Sequence, residues 1–205
     1  RSEHTVWPGS EKLHGIRLDA YIEEDSAELA PGDGAIYDVE PDKKENRKKN
    51  LPRRSRFYHA KIDGTLLESG KRYDELQNVW VIFITNFDPF GKNRMLYTVK
   101  NHCIELPEMP YEDGAVTLFL YTKGTEGNPS EDLRKLMTYF DQTVPEYAVT
   151  KELSDIQKIV DQKKMDPKTK EAYMTLQEFI NDERDEAAEA EKQRADFEKQ
   201  RADSA

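Results

Sequence analysis

The sequence predicts an α/β fold, and three stretches carry that prediction. Residues 78–85, NVWVIFIT, form a continuous apolar and β-branched run, which suits a central strand buried on both faces. Residues 35–41, AIYDVEP, alternate apolar and acidic side chains and read as a second strand. Between them, residues 51–70 (LPRRSRFYHAKIDGTLLESG) place Tyr58, Ile62 and Leu66 at i, i+4 spacing. Phe57 and Leu67 widen that stripe and Gly70 suits a C-terminal stop, so the segment reads as an amphipathic helix. At 205 residues the chain is long enough for one such domain with a real core and an appendage.

The remaining elements follow from local pattern. Residues 15–24, GIRLDAYIEE, read as a strand with Ile16, Leu18, Ala20 and Ile22 on one face and Arg17, Asp19 and Tyr21 on the other. Pro and Gly in 26–35 give turn chemistry, so 16–41 is expected to be an antiparallel hairpin. Residues 42–50, DKKENRKKN, read as a charged, flexible connector, and 86–93, NFDPFGKN, as a turn-rich loop in which Phe87, Phe90 and Gly91 shape the turn. Strands are expected at 94–102 and 115–122, with Trp80 and Cys103 as packing residues. From Pro129 the texture becomes helical, which divides the chain into a core at 1–128 and a helical C-terminal region at 129–205. Ser130 is an N-cap, with Leu133, Leu136, Met137 and Phe140 following at helical spacing. Two further helices are expected at 150–162 and 168–203. The last repeats EKQRAD at 191–196 and 198–203, but only alanines and Phe197 could form a seam, so a solvated helix is the expectation.

Charge is distributed unevenly. The net charge is −10, yet residues 43–61 hold nine cations (Lys43, Lys44, Arg47, Lys48, Lys49, Arg53, Arg54, Arg56, Lys61) against Glu45 alone. The first 42 residues carry −8 and residues 171–205 carry −6, so an acidic strand region runs directly into a strongly basic one. No run of about 18 apolar residues suggests a membrane-spanning helix. The lone Cys103 excludes an internal disulfide framework and fits a cytoplasmic protein, and the four scattered histidines give no zinc spacing.

Within the 35–41 strand, Asp38, Glu40 and Asp42 fall on one face, where like charges repel unless water or a cation relieves them. If the strands around Asp19 and Glu40 pair, these two carboxylates can meet. Two hard oxygen donors from neighbouring strands suit an octahedral cation such as Mg²⁺. The adjoining cations suit phosphates. The bland alternatives are half-exposed acids on a strand and a solvated basic helix face.

RLDAY, IYDVE and LPRRSRFYHAKID together resemble the core of the Rpn-type family of recombination-promoting nucleases and transposases, within the PD-(D/E)XK superfamily. FITNFDPFGKNRMLYTVKNHC (83–103), LFLYTKG (118–124) and YMTLQEFINDERDEAAEAEKQR resemble later segments of that family, and the similarity spans about residues 14–195. The helix that this family places ahead of its strands, which often carries another acid, is not in this chain.

The resemblance implies a restriction-endonuclease-like mixed central sheet flanked by helices, with a helical C-terminal extension. It implies DNA cleavage with Mg²⁺, Mn²⁺ or Ca²⁺, and no small-molecule cofactor. DNA would be the partner, no membrane is involved, and a homodimer stays open. Asp19 and Glu40 match the metal ligands. Lys43, Lys44, Arg53, Arg54 and Arg56 would contact DNA phosphates. The position two residues after Glu40, usually Lys or Gln, is here Asp42, which cannot donate a hydrogen bond when ionised. Three readings follow. Lys43 or Lys44 reaches back, or Arg54 on the following helix supplies the positive charge as a transition-state stabiliser. Alternatively, the site has decayed to a nucleic-acid-binding or assembly module. A scaffold that works through the charged C-terminal helix is a further option. Tyr58 and Arg56 match family positions as well, but Tyr58 reads as core.

Overall fold

The computed structural model describes residues 20–24, 34–67 and 69–165 in full, and residues 4–6 and 16–18 through their backbone. Two short strands, β1 (His4–Val6) and β2 (Ile16–Leu18), pair antiparallel. A separate mixed sheet holds β3 (Ala20–Glu23), β4 (Ala35–Asp42), β5 (Asn78–Thr85), β6 (Leu96–Val99) and β7 (Ala115–Tyr121). Its spatial order is β3-β4-β5-β7-β6. The edge strands β3 and β6 run antiparallel to their neighbours, while β4, β5 and β7 run parallel. Helix α1 (Leu51–Leu66) connects β4 to β5, as a parallel pair requires. Helix α2 (Glu131–Asp141) follows β7, and α3 (Lys151–Met165) comes later. The chain forms two compact units, 1–143 and 144–205.

The parallel registers define rows across the sheet. Asp38 pairs with Val81 and Val81 with Thr117, while Glu40 pairs with Phe83 and Phe83 with Phe119. Paired residues point to the same face, so both rows lie under α1. There Ile36, Val79, Val81, Phe83, Phe87 and Phe119 pack with Leu51 and Ile62 of the helix. Phe83 and Phe119 stack with ring centroids 5.4 Å apart. Met137 of α2 closes the opposite face against Met95 and Leu120, with Ile82, Ile84, Leu133 and Leu136 around them. Helix α2 therefore belongs with the sheet, although the sequence texture changes at Pro129. Burial of each large side chain in these clusters contributes roughly 1.5–3 kcal/mol.

The α/β class and the mixed sheet flanked by helices agree with expectation, and several local readings need correction. The 15–24 strand is two strands in different sheets, and in β3 the expected apolar face is not the buried one: Tyr21 is buried while Ile22 is 53% exposed. The cause is tertiary. Tyr21 pairs with Asp38 on the face that α1 covers, whatever the polarity of its neighbours. The 94–102 strand shrinks to β6. Residues 45–50 of the expected connector form a 3₁₀ turn that leads into α1, anchored by fully buried Leu51. In α2, Tyr139 is buried where Phe140 was expected, and Phe140 is 38% exposed. Cys103 is half-buried rather than enclosed, and its thiol donates to Glu105. Ser130 caps α2 as its sequence indicates, its hydroxyl accepting from the Leu133 N–H at 3.2 Å. The 168–203 helix and its EKQRAD repeat lie outside the described residues.

Candidate functional site

The acidic face of β4 is not solvated. Asp38, Glu40 and Asp42 are 0%, 3% and 4% exposed, on a strand where i, i+2 side chains stand roughly 7 Å apart. Buried carboxylates require compensating partners. The principal one is Arg54, one turn into α1, because the short 45–50 turn brings the first turns of the helix over the carboxyl end of β4. Its Nη1 donates to Asp42 Oδ2, and its Nη2 lies 3.5 Å from Glu40 Oε2. Tyr58, one helical turn later, donates its hydroxyl to the same Glu40 Oε2 at 3.2 Å and accepts from Arg54 Nη2 at 3.3 Å. The Lys44 backbone N–H donates to Asp42 Oδ1 at 2.9 Å. The guanidinium also sits 5.3 Å above the Phe83 ring, a cation–π contact that favours Arg over Lys.

Electrostatics follow from this packing. Burial alone would lower the Arg54 pKa, but hydrogen bonds and charge from Tyr58 and Asp42 outweigh it and raise it. Burial raises the Tyr58 pKa, with Arg54 opposing and Glu40 reinforcing, so the phenol stays a donor. Tyr21, across from Asp38, is pushed up to about 12 by burial and then by the charges of Glu23 and Asp38.

The structure thus brings together Glu40, Asp42 and Arg54, three of the residues singled out in the sequence. Asp19 lies outside the described residues, and β3 begins one position after it, with Ala20 paired to Val39. Lys43 is turned elsewhere: it lines a groove of about 360 Å³ on the opposite face with Val39, Pro41, Ile84 and Phe140. Lys44 is exposed and meets Asp42 through its backbone N–H. Arg53 and Arg56 are exposed on α1. Tyr58 packs against the core as its sequence suggests, and its hydroxyl adds a bond to Glu40 that the core reading did not include. Its i, i+4 relation to Arg54 was the available signal, since it places both on one helix face.

Glu40 and Asp42 offer hard oxygen donors of the kind Mg²⁺ takes. Among the described residues no group of three or more acidic, histidine or cysteine side chains is gathered to hold a metal ion. No described helix is long and apolar enough to cross a membrane. No protein-family model, curated protein or solved structure matches the chain.

Proposed function

We propose that this chain is a divalent-metal-dependent DNA endonuclease of the Rpn-like, PD-(D/E)XK type, with Asp19 and Glu40 as metal ligands. One observation carries the reading: Arg54, on the helix after β4, reaches both Glu40 and Asp42. A cation is thereby delivered to the position where Asp42 replaces the usual Lys or Gln. The order β3, β4, α1, β5, with an antiparallel pair followed by a parallel one, is compatible with such a nuclease sheet.

Hydrolysis joins a water oxygen to phosphorus and breaks the bond to one sugar oxygen. A bound Mg²⁺ would supply an acidified water and charge neutralisation. Arg54 would stabilise the negative charge that builds on the phosphate, and it is too poor a proton acceptor to serve as base. Tyr58 holds Glu40 in place through its hydroxyl. Asp42 fixes the guanidinium rather than acting on water. The test is plasmid nicking with Mg²⁺ or Mn²⁺, comparing wild type with Asp19→Ala and Glu40→Ala. Cleavage that both substitutions abolish supports the proposal, and equal behaviour of all three proteins overturns it.

A second reading, a catalytically degenerate nucleic-acid-binding module, draws on the same contacts. Arg54 and Tyr58 both engage Oε2 of Glu40, and both oxygens of Asp42 are engaged. Salt-dependent DNA binding without cleavage would select it.

A further inference from the structure

On the other flank of α1 lies a pocket of about 270 Å³, lined by Ser55, Arg56, His59, Lys100, Asn101 and Thr117 among others. Its floor is a chain of polar side chains, buried at Ser55 and Thr117 and part-buried at His59. Ser55 Oγ bonds Thr117 Oγ1, which bonds His59 Nε2 at 3.0 Å, and Ser55 and Thr117 are 6% and 5% exposed. Such a chain in a pocket wall is costly unless every member is satisfied, and the Nδ1 of His59 is buried without a hydrogen-bond partner among the described residues. When Nε2 accepts from Thr117, Nδ1 carries the proton and becomes a donor. Burial lowers the His59 pKa against the pull of Asp113, which keeps the ring neutral. At the mouth stand Arg56 and Lys100, both exposed and without an ion-pair partner among the described residues. No carboxylate lines the pocket. The neighbouring Asp113 is occupied: Asn101 Nδ2 donates to one oxygen at 2.6 Å and the Ala115 N–H to the other at 3.1 Å.

Asp113 acts on His59 from the adjoining hollow, which Lys100 also lines. Two cations, two hydroxyls and a part-buried imidazole line a hollow with no carboxylate in its own wall, and this set suits a tetrahedral oxyanion. We infer that this pocket binds a phosphate group, a backbone phosphodiester of the DNA whose cleavage is proposed above, at a position separate from the Glu40–Arg54 site. The DNA source rests on that functional reading, whereas the phosphate chemistry rests on the pocket alone. His59 and Lys100 become ligand-facing residues, and Arg56 changes from a general phosphate contact to a member of a defined subsite.

The test uses the whole chain without divalent metal, so that DNA binds uncut. Side-chain NMR follows the His59 resonances, identified by their absence in His59→Gln, during addition of inorganic phosphate, thymidine monophosphate or duplex DNA. In parallel, DNA affinity is measured against salt for wild type and Arg56→Gln/Lys100→Gln. Support is a His59 shift with phosphate and with DNA, and a log–log salt slope in the double variant shallower by about 1, as loss of one phosphate contact requires. An unmoved His59 together with identical salt slopes overturns the inference. A His59 shift with phosphate or the mononucleotide while DNA binds without moving it overturns the backbone source and leaves a free-phosphate site. Plasmid nicking reads the Glu40 site independently, so failure of the nuclease proposal and failure of this pocket give different results.

Discussion

The guanidinium of Arg54 is held by the carboxylate of Asp42, two residues beyond Glu40 on the same buried face of β4. Asp42 adds a further buried negative charge beside Glu40, and the helix supplies the cation that offsets both. Removing one partner of a buried pair leaves the other charged and desolvated. Arg54→Met is therefore expected to cost about 3–5 kcal/mol, read as a lowered urea midpoint at constant slope. Arg54→Lys keeps the charge but loses the fork that spans Asp42 and Glu40, so it should fold with a smaller loss. If the nuclease proposal holds, its cleavage rate should fall roughly 10²-fold. A lysine variant that cleaves at the wild-type rate would show that the positive charge alone suffices and that the guanidinium fork does not serve cleavage.

How much of this was legible in the sequence varies with how local each feature is. The strands at β4 and β5 and the Ser130 cap rest on short-range patterns and appear where read, although β5 is fully buried only on the α1 side and half-buried on the other. That Arg54 meets the acids of β4 was also readable, because helix α1 follows β4 closely. The burial of Asp38 was not, since an acid-bearing face reads as solvated until α1 is placed over it. Tyr21 and Ile22 exchanged roles for the same reason: the covered face of β3 is decided by where α1 lies. The Ser55–Thr117 contact joins residues 62 apart in the chain, beyond any local pattern.

Tyr21 should make stability fall at alkaline pH. Its pKa rises from 10.0 to about 12 on folding, so the folded state favours the protonated phenol. A raised folded value contributes stability in full below pH 10, and that contribution is lost as pH climbs toward about 12. Two units correspond to roughly 2–3 kcal/mol. Tyr21→Phe should flatten the alkaline limb of a urea stability profile. An unchanged limb would mean that the phenol is not desolvated as described.

Asp88 gives the opposite limb. Burial on its own would raise its pKa, but donors from its own loop and from Tyr97 of β6 outweigh that and lower it. The Asn93 N–H donates at 2.6 Å, the Tyr97 hydroxyl at 2.8 Å and the Phe90 N–H at 3.0 Å. The loop turns through positive φ at Gly91 and Asn93, which directs those amides at the carboxylate. A depressed folded value contributes stability above the ordinary carboxylate pKa and loses it as pH falls through the folded one. Asp88→Asn should remove that acid dependence and cost up to about 1 kcal/mol at neutral pH, because solvent screens these exposed bonds, checked by urea unfolding at pH 7 and in acid. Equal acid limbs in both proteins would refute the assignment.

Two glycines should respond to alanine with opposite signs. Gly124 follows β7 where the chain passes against Arg94 and Met95, tied by the Tyr121 N–H to Met95 O at 2.9 Å and the Met95 N–H to Glu126 O at 3.3 Å. A Cβ there would lie 2.5 Å from Met95 N and 2.6 Å from its Cα, and backbone cannot swing aside as a side chain can. Met95 is also part of the α2-side core, so displacement spreads into Leu120 and Met137. Gly124→Ala is expected to cost about 1–3 kcal/mol, as overpacking does. Gly64 lies within α1, and a Cβ there meets nothing within 4 Å. Gly64→Ala gains helix propensity without a clash and should stabilise by up to ~1 kcal/mol. Thermal and urea midpoints of the two variants, measured side by side, test the sheet edge and the helix together. Loss at Gly64 would mean that α1 does not run through that position as a helix with an open face.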